Sequence, residues 1–266
     1  MARRELKGLR AIVTGASAGI GRAMAIEMAR AGVRCLLFAR RQERLDEVRE
    51  ATRQAGTEAS VVVGDVTNAA DRAACLEFAQ RELGGLDLLV NNAGISAGGD
   101  FAGESPDVLR KIFEVNFFAA TELTREAIPL LRTGRTPMVV NVGSILGHRG
   151  IPFTSAYCAS KFAITGWSQS LRAELSTMGI DVLLVSPGTT ESELADHLVE
   201  QRVKLPWAGM KGVTAEYVAR ATIKAIARGS HEIVPNWRGW WMLVANRMAP
   251  TLLDKVMAKF ARRAGR

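Results

Sequence analysis

The sequence predicts an α/β protein with a mostly parallel sheet covered by helices on both faces. Short apolar runs of strand type alternate with longer amphipathic patterns along the chain, as expected where a parallel sheet is buried between helical layers. The first of those runs passes through a glycine-rich turn directly into a helical pattern. At 266 residues, with no internal repeat and no low-complexity linker, the chain fits one large domain with a substantial core.

Leu9-Arg10-Ala11-Ile12-Val13 is the first strand, Thr14-Gly15-Ala16-Ser17-Ala18-Gly19-Ile20-Gly21 is the turn, and Met24, Ile26, Met28 and Ala29 carry a helical period closed by Gly32. Strand, glycine turn and helix together aim helix N-terminal amides at an anion such as a pyrophosphate. Glycines let backbone approach that anion with no side chain between. The spacing here is G-x-x-x-G-x-G rather than G-x-G-x-x-G, so a tight turn without a ligand is the competing reading.

Residues 35–39 form a second strand, followed by the charged helical run of Arg41, Glu43, Arg44, Asp46 and Glu47. Residues 60–63, 86–90 and 231–234 are further strand-like runs. Residues 157–178 have helical patterning, and Tyr157 and Lys161 share one face because they are four apart. An ammonium beside a phenol favours phenolate and draws the tyrosine pKa down from about 10, which makes a general acid/base. Tyr and Lys also fall at this spacing by chance in many helices.

Together these motifs, with what lies between them, resemble the short-chain dehydrogenase/reductase family over residues 7–235. Thr14, Gly15, Ser17, Gly19, Ile20 and Gly21 match the cofactor loop, and Asp65-Val66 match the pair flanking the adenine. Asn91-Asn92-Ala93-Gly94 match the segment that steadies the sheet and lines the cofactor, and Pro187-Gly188 match the turn beside the nicotinamide. The resemblance implies a Rossmann-type doubly wound parallel sheet of about seven strands and a tetrad of Asn116, Ser144, Tyr157 and Lys161. Tyr157 would exchange a proton with the substrate oxygen, and Ser144 would hydrogen-bond that oxygen. Lys161 would lower the Tyr pKa and hold the nicotinamide ribose, and Asn116 would hold a relay water. Gly143 stands where many relatives carry another serine.

The second strand ends in Ala39-Arg40-Arg41, where NAD-dependent relatives usually place an acid for the ribose 2′-hydroxyl. An arginine can instead pair with a 2′-phosphate, so NADP(H) is the expected cofactor, with Arg40 as main contact and Arg41 and Ser17 as further ligands. The competing reading is a solvated basic pair opening a helix.

Cys35, Cys75 and Cys158 are widely spaced and form no metal or disulfide pattern. Met1 to Lys7 lack the apolar stretch of a signal peptide, and no segment reaches transmembrane length, so the expectation is a soluble cytoplasmic enzyme without a metal.

Substrate selectivity is expected from residues 95–104, 145–155 and 189–214. The last resembles the family's mobile lid, with Leu194, Leu198, Val199, Val203, Leu205, Pro206, Trp207 and Met210 as apolar surface. His148 and Arg149 follow shortly after Ser144, and Arg149 reads as an exposed structural arginine, with contact to an anionic group as the alternative. The chain divides into a catalytic domain at 1–235 and a basic amphipathic extension at 236–266. Eight basic residues from Arg228 onward face only Glu232 and Asp254, so this stretch holds six of the net eight positive charges. Leu252, Leu253, Val256, Met257 and Phe260 form an apolar stripe opposite Lys255, Lys259, Arg262 and Arg263. Packing on the domain, on the substrate site or in a dimer is favoured over peripheral contact with an anionic membrane. Nucleic-acid binding is excluded as an account of the charge, which is confined to a tail without a recognised binding motif. The abundant apolar surface suggests a lipid-like ketone or 3-oxoacyl substrate, reduced by a homo-oligomer; an oxidative alcohol or steroid dehydrogenase, and a non-catalytic membrane-docking protein, are the alternatives.

Overall fold

The computed structural model describes residues 4–191, 198–203 and 211–264. Seven parallel strands form the main sheet, in the order β3-β2-β1-β4-β5-β6-β9. They are β1 (Arg10–Thr14), β2 (Arg34–Ala39), β3 (Ser60–Val63), β4 (Leu88–Asn91), β5 (Met138–Val142), β6 (Asp181–Val185) and β9 (Glu232–Ile233). Two further strands among the described residues, β7 (Thr190–Glu191) and β8 (Val213–Thr214), pair as a separate ribbon. The expected doubly wound sheet is therefore present, with its order reversing between β1 and β4, where such sheets bind ligands.

Strand alternation sorts the core into two layers. Val13, Leu37, Val90, Val140 and Leu183 point to one face, where Met24 and Met28 of α1 (Gly19–Arg30), Leu45 and Val48 of α2 (Gln42–Gln54) and Val218 and Ile226 of α7 (Ala215–Arg228) cover them. Ile12, Leu36, Leu89, Val139 and Val182 point to the other, beneath Cys75 of α3 (Ala69–Phe78), Leu123 and Leu131 of α5 (Ala119–Leu131) and Leu171 and Leu175 of α6 (Ser155–Ser176). All three cysteines are buried, and burial pushes the Cys35 and Cys75 thiols up to about 12. At the amino end of the central strands Asp87 accepts hydrogen bonds from the backbone and guanidinium of Arg10 and from the Arg135 amide.

Helix α4 (Pro106–Phe113) runs into α5 through one π-helical turn, Glu114–Phe118, that contains Asn116. Insertions of this kind recur at functional positions because they re-aim one side chain without ending the helix. After β9 the chain forms α8 (Trp237–Met248) and α9 (Pro250–Ala264), the latter with proline at its first position. The amphipathic stripe behaves differently from the favoured expectation. Leu252, Val256 and Phe260 are exposed, and only Leu253 and Met257 are partly buried. Pairing with α8 uses a narrow strip of α9, narrower than the stripe its sequence carries.

Candidate active site

Each motif from the sequence lies at the carboxyl end of the sheet. The first turn is built for close approach: Gly15 has φ +62, and a Cβ at Gly21 would lie 2.4 Å from both the Gly15 carbonyl oxygen and Asn92 Nδ2. Helix α1 starts at Gly19 behind Ala18, which gives no side-chain cap, and its first turn holds no acid. Its leading amides thus remain for an anion. Thr14 ties this turn to β4, its hydroxyl accepting from the Asn92 and Ala93 amides at 2.9 and 3.0 Å. Asn92 Nδ2 returns a bond to the Thr14 carbonyl at 2.9 Å. A dinucleotide pyrophosphate fits this uncapped, side-chain-free cradle.

At the end of β2, Ala39 leaves the expected acidic position without a carboxylate. Arg41 Nη2 donates to Ser17 Oγ at 3.1 Å, which joins two of the candidate phosphate ligands, while Arg40 is exposed and lies 3.8 Å from Asp65. Burial raises the Asp65 carboxyl, but hydrogen bonds from Thr67 and the charges of Arg40 and Lys111 outweigh it and hold it below the ordinary carboxylate range. Val66 follows, partly buried against the core.

Ser144 stands two residues after β5 and caps the 3₁₀ turn Ile145–Gly147, its Oγ accepting from the Leu146 amide at 3.1 Å. Tyr157 and Lys161 rise from the first turns of α6, with the Lys161 ammonium 5.7 Å from the Tyr157 ring centre. The Ser144 hydroxyl lies close enough to the Tyr157 phenol to favour its ionised form. Asn116 is locked: Oδ1 accepts from the Ile95 amide at 2.8 Å, and Nδ2 donates to the Ile95 carbonyl and Ser160 Oγ at 3.0 Å each. Ser160 in turn donates to the Tyr157 carbonyl. Asn116 therefore holds the loop at Gly94-Ile95 against the start of α6. Pro187 accepts from the Ile145 amide at 2.9 Å, and Gly188 faces Asn236 so closely that a Cβ would sit 2.4 Å from its Nδ2.

Two expectations need correction. The Tyr-Lys spacing predicts a depressed tyrosine pKa, but burial pushes Tyr157 up to about 12, and the Ser144 hydroxyl is the influence that opposes it. Lys161 gives its hydrogen bond to the Val142 carbonyl at 2.8 Å, and burial lowers it to about 8, so it stays mostly protonated at neutral pH but gives up its proton more readily than a free lysine. Arg149, expected to be exposed, has a side chain only 13% accessible and reaches Asn246 and Asp254. The reason is tertiary, since both partners lie about a hundred residues further on.

Of the lid residues, Leu198, Val199 and Val203 are described, and Leu194, Leu205, Pro206, Trp207 and Met210 lie outside the described residues. The segment 198–203 clips onto the loop after β4, with Val199 donating to the Ser96 carbonyl and Arg202 to the Gly98 carbonyl, both at 2.8 Å. Ser160 and Asn236 join the site without having been singled out by the sequence. Asn236 is buried and caps α8 through the Gly239 amide. The order Pro235-Asn236-x-x-Gly239 was its available signal, an N-cap residue ahead of a helix.

A model described as short chain dehydrogenase matches residues 10–203. A ketoacyl reductase, HetN, from Nostoc sp. is 32% identical over 96% of this chain and 90% of its own length. Hydroxysteroid 11-beta-dehydrogenase 1-like protein A from Xenopus laevis is 33% identical over 96% of this chain and 87% of its own. A short chain dehydrogenase/reductase from Burkholderia phymatum, solved in complex with NAD, superposes with a TM-score of 0.84 at 25% identity, covering 94% of this chain and 96% of that one. The chain belongs to the short chain dehydrogenase family and is an oxidoreductase of the keto–hydroxyl class.

Proposed function

We propose that this protein is an NADPH-dependent reductase that converts a hydrophobic, lipid-like ketone or 3-oxoacyl group to an alcohol. The observation that carries the reading is the convergence of Ser144, Tyr157 and Lys161 at the carboxyl end of β5 and the start of α6, with the Lys161 ammonium 5.7 Å from the Tyr157 ring centre. At neutral pH Tyr157 keeps its proton and is set to deliver it to a carbonyl oxygen as a general acid. Ser144 steadies the same oxygen as negative charge grows on it. Lys161, buried at the Val142 carbonyl, lies where it can return a proton to Tyr157 and hold ribose hydroxyls. A bound nicotinamide supplies the hydride. The turn at Gly15, Ser17, Gly19, Ile20 and Gly21, with Asp65, Val66, Asn92, Ala93, Gly94, Pro187 and Gly188, would hold the dinucleotide.

Ala39 at the end of β2 and the Arg41–Ser17 contact support a 2′-phosphate ligand. NAD is the second reading, favoured by the relative solved with it. Replacing Arg40 by Asp separates the two: loss of a charged hydrogen bond and gain of a carboxylate should shift preference toward NADH by about tenfold or more. An unchanged ratio of NADPH to NADH efficiency would assign the site to NAD.

The names of the relatives support a keto or hydroxyl substrate of apolar character. The exposed Trp237, Trp240, Trp241, Leu252 and Phe260 beside Arg238, Lys255 and Lys259 support peripheral contact of the tail with anionic lipid. Among the described residues no helix is long and apolar enough to cross a membrane. Exposed Phe118 and Phe162, on the elements that carry Asn116 and Tyr157, support assembly with a second copy.

The defining assay follows NADPH oxidation against ketones and 3-oxoacyl thioesters of rising chain length. Tyr157→Phe should lower turnover by about 10²–10⁴-fold with cofactor binding intact. Unchanged turnover in that variant would sink the mechanism.

A further inference from the structure

We propose that the carboxy-terminal helices are a brace that positions Ser144, with Arg149, Asn246 and Asp254 as positioning residues; the idea rests on the reductase reading given above.

The loop that follows Ser144 is clamped at two places by the extension. The first is polar. Arg149 Nη1 donates to Asn246 Oδ1 of α8 at 3.1 Å and Nη2 to Asp254 Oδ1 of α9 at 2.5 Å. Asn246 closes the circuit by donating Nδ2 to the His148 carbonyl at 3.2 Å. Arg149 Nε is buried without a partner, so the place of the guanidinium is set by Asn246 and Asp254. The second clamp is steric. Asn236, buried at the head of α8, fills the space in front of Gly188, and a Cβ at Gly239 would lie 2.9 Å from Ile145 Cγ2.

Between these points sits the short 3₁₀ turn that Ser144 caps. Its other side is held by α6, where a Cβ at Gly147 would meet the Lys161 carbonyl at 2.5 Å. His148 Nε2 bonds Ser186 Oγ at 3.0 Å and fastens the turn to the end of β6. The turn is thus boxed between α6, the Pro187-Gly188 corner and the extension. The first two walls belong to the sheet domain, and the extension supplies the third. A loop held on two sides keeps its fold while its hydroxyl drifts, and a drift of about 1 Å in a reacting group costs turnover as much as 10²-fold.

The test uses the full chain with Asn246→Ala and with Asp254→Ala, the latter at an exposed position where folding is not at stake. Hydrogen exchange of the 144–150 peptide is read beside kcat, KM, NADPH affinity and melting temperature. The expected result is faster exchange in that peptide and a fall in kcat of about tenfold, with NADPH affinity and melting temperature held. Asp254→Glu, which keeps the carboxylate, should restore both readings. Unchanged exchange overturns the brace, and so does faster exchange with kcat unchanged. A wild-type protein that turns over no carbonyl overturns the reductase reading instead, and the exchange measurement still decides the brace.

Discussion

The sheet domain and the helical pair at its carboxyl end hold themselves together in opposite ways. Around β1 and β4 nearly every side chain is buried, and charges that enter, such as Asp87, are met by several donors. In α8 and α9 Trp237, Trp240, Trp241, Leu252 and Phe260 face outward, and polar contacts from Asn236, Asn246 and Asp254 join a thin apolar seam in the fastening. The contrast teaches that stability and positioning are separable here. The sheet domain should set the melting behaviour, while the extension should act on the geometry of one loop.

The largest effect expected from that division is at Asp87. Removing its carboxylate by Asp87→Ala strands Arg10 and the Arg135 amide and should cost about 3–5 kcal/mol of unfolding free energy, read from urea midpoints. A loss below 1 kcal/mol would break the comparison.

Lys161 tests it next, through pH. Burial brings its pKa from 10.5 to about 8, so between those values the unfolded chain holds a proton that the folded chain has released. Stability contributed by this group therefore rises with pH across that window, by about 3 kcal/mol in full. Lys161→Met should flatten the slope of stability between pH 8 and 10.5. An equal slope in both proteins would show the amine to be solvated.

The smallest effect belongs to α9. Phe260→Ser changes an exposed side chain and should move stability by no more than about 0.5 kcal/mol. A larger loss would mean that the stripe is covered in solution, which would sharpen the case for a second copy.

What could be read in advance follows from distance along the chain. The strands, the glycine turn and the helix carrying Tyr157 and Lys161 are local patterns, and they lie within a residue or two of their expected bounds. The contiguous Asn91-Asn92-Ala93-Gly94 motif can be picked out by eye, and the structure sets Asn92 against the glycine turn. Arg149 reads as exposed along the sequence because Asn246 and Asp254, its partners, sit in another region of it. The tyrosine pKa was misjudged because spacing reports which groups share a face, whereas the shift depends on how much water the fold removes. The π turn at Asn116 leaves no compositional trace, since one inserted residue preserves the amphipathic pattern on either side.

The three buried cysteines have a practical consequence. Thiol reagents act on the thiolate, and in this fold Cys35 and Cys75 are both inaccessible and held protonated, with Cys158 enclosed as well. The outer surface therefore presents no cysteine thiol to maleimides. A single cysteine placed on the outward face of α8, as in Trp241→Cys, would then be the one position to take a probe, ready to report on whatever that face meets.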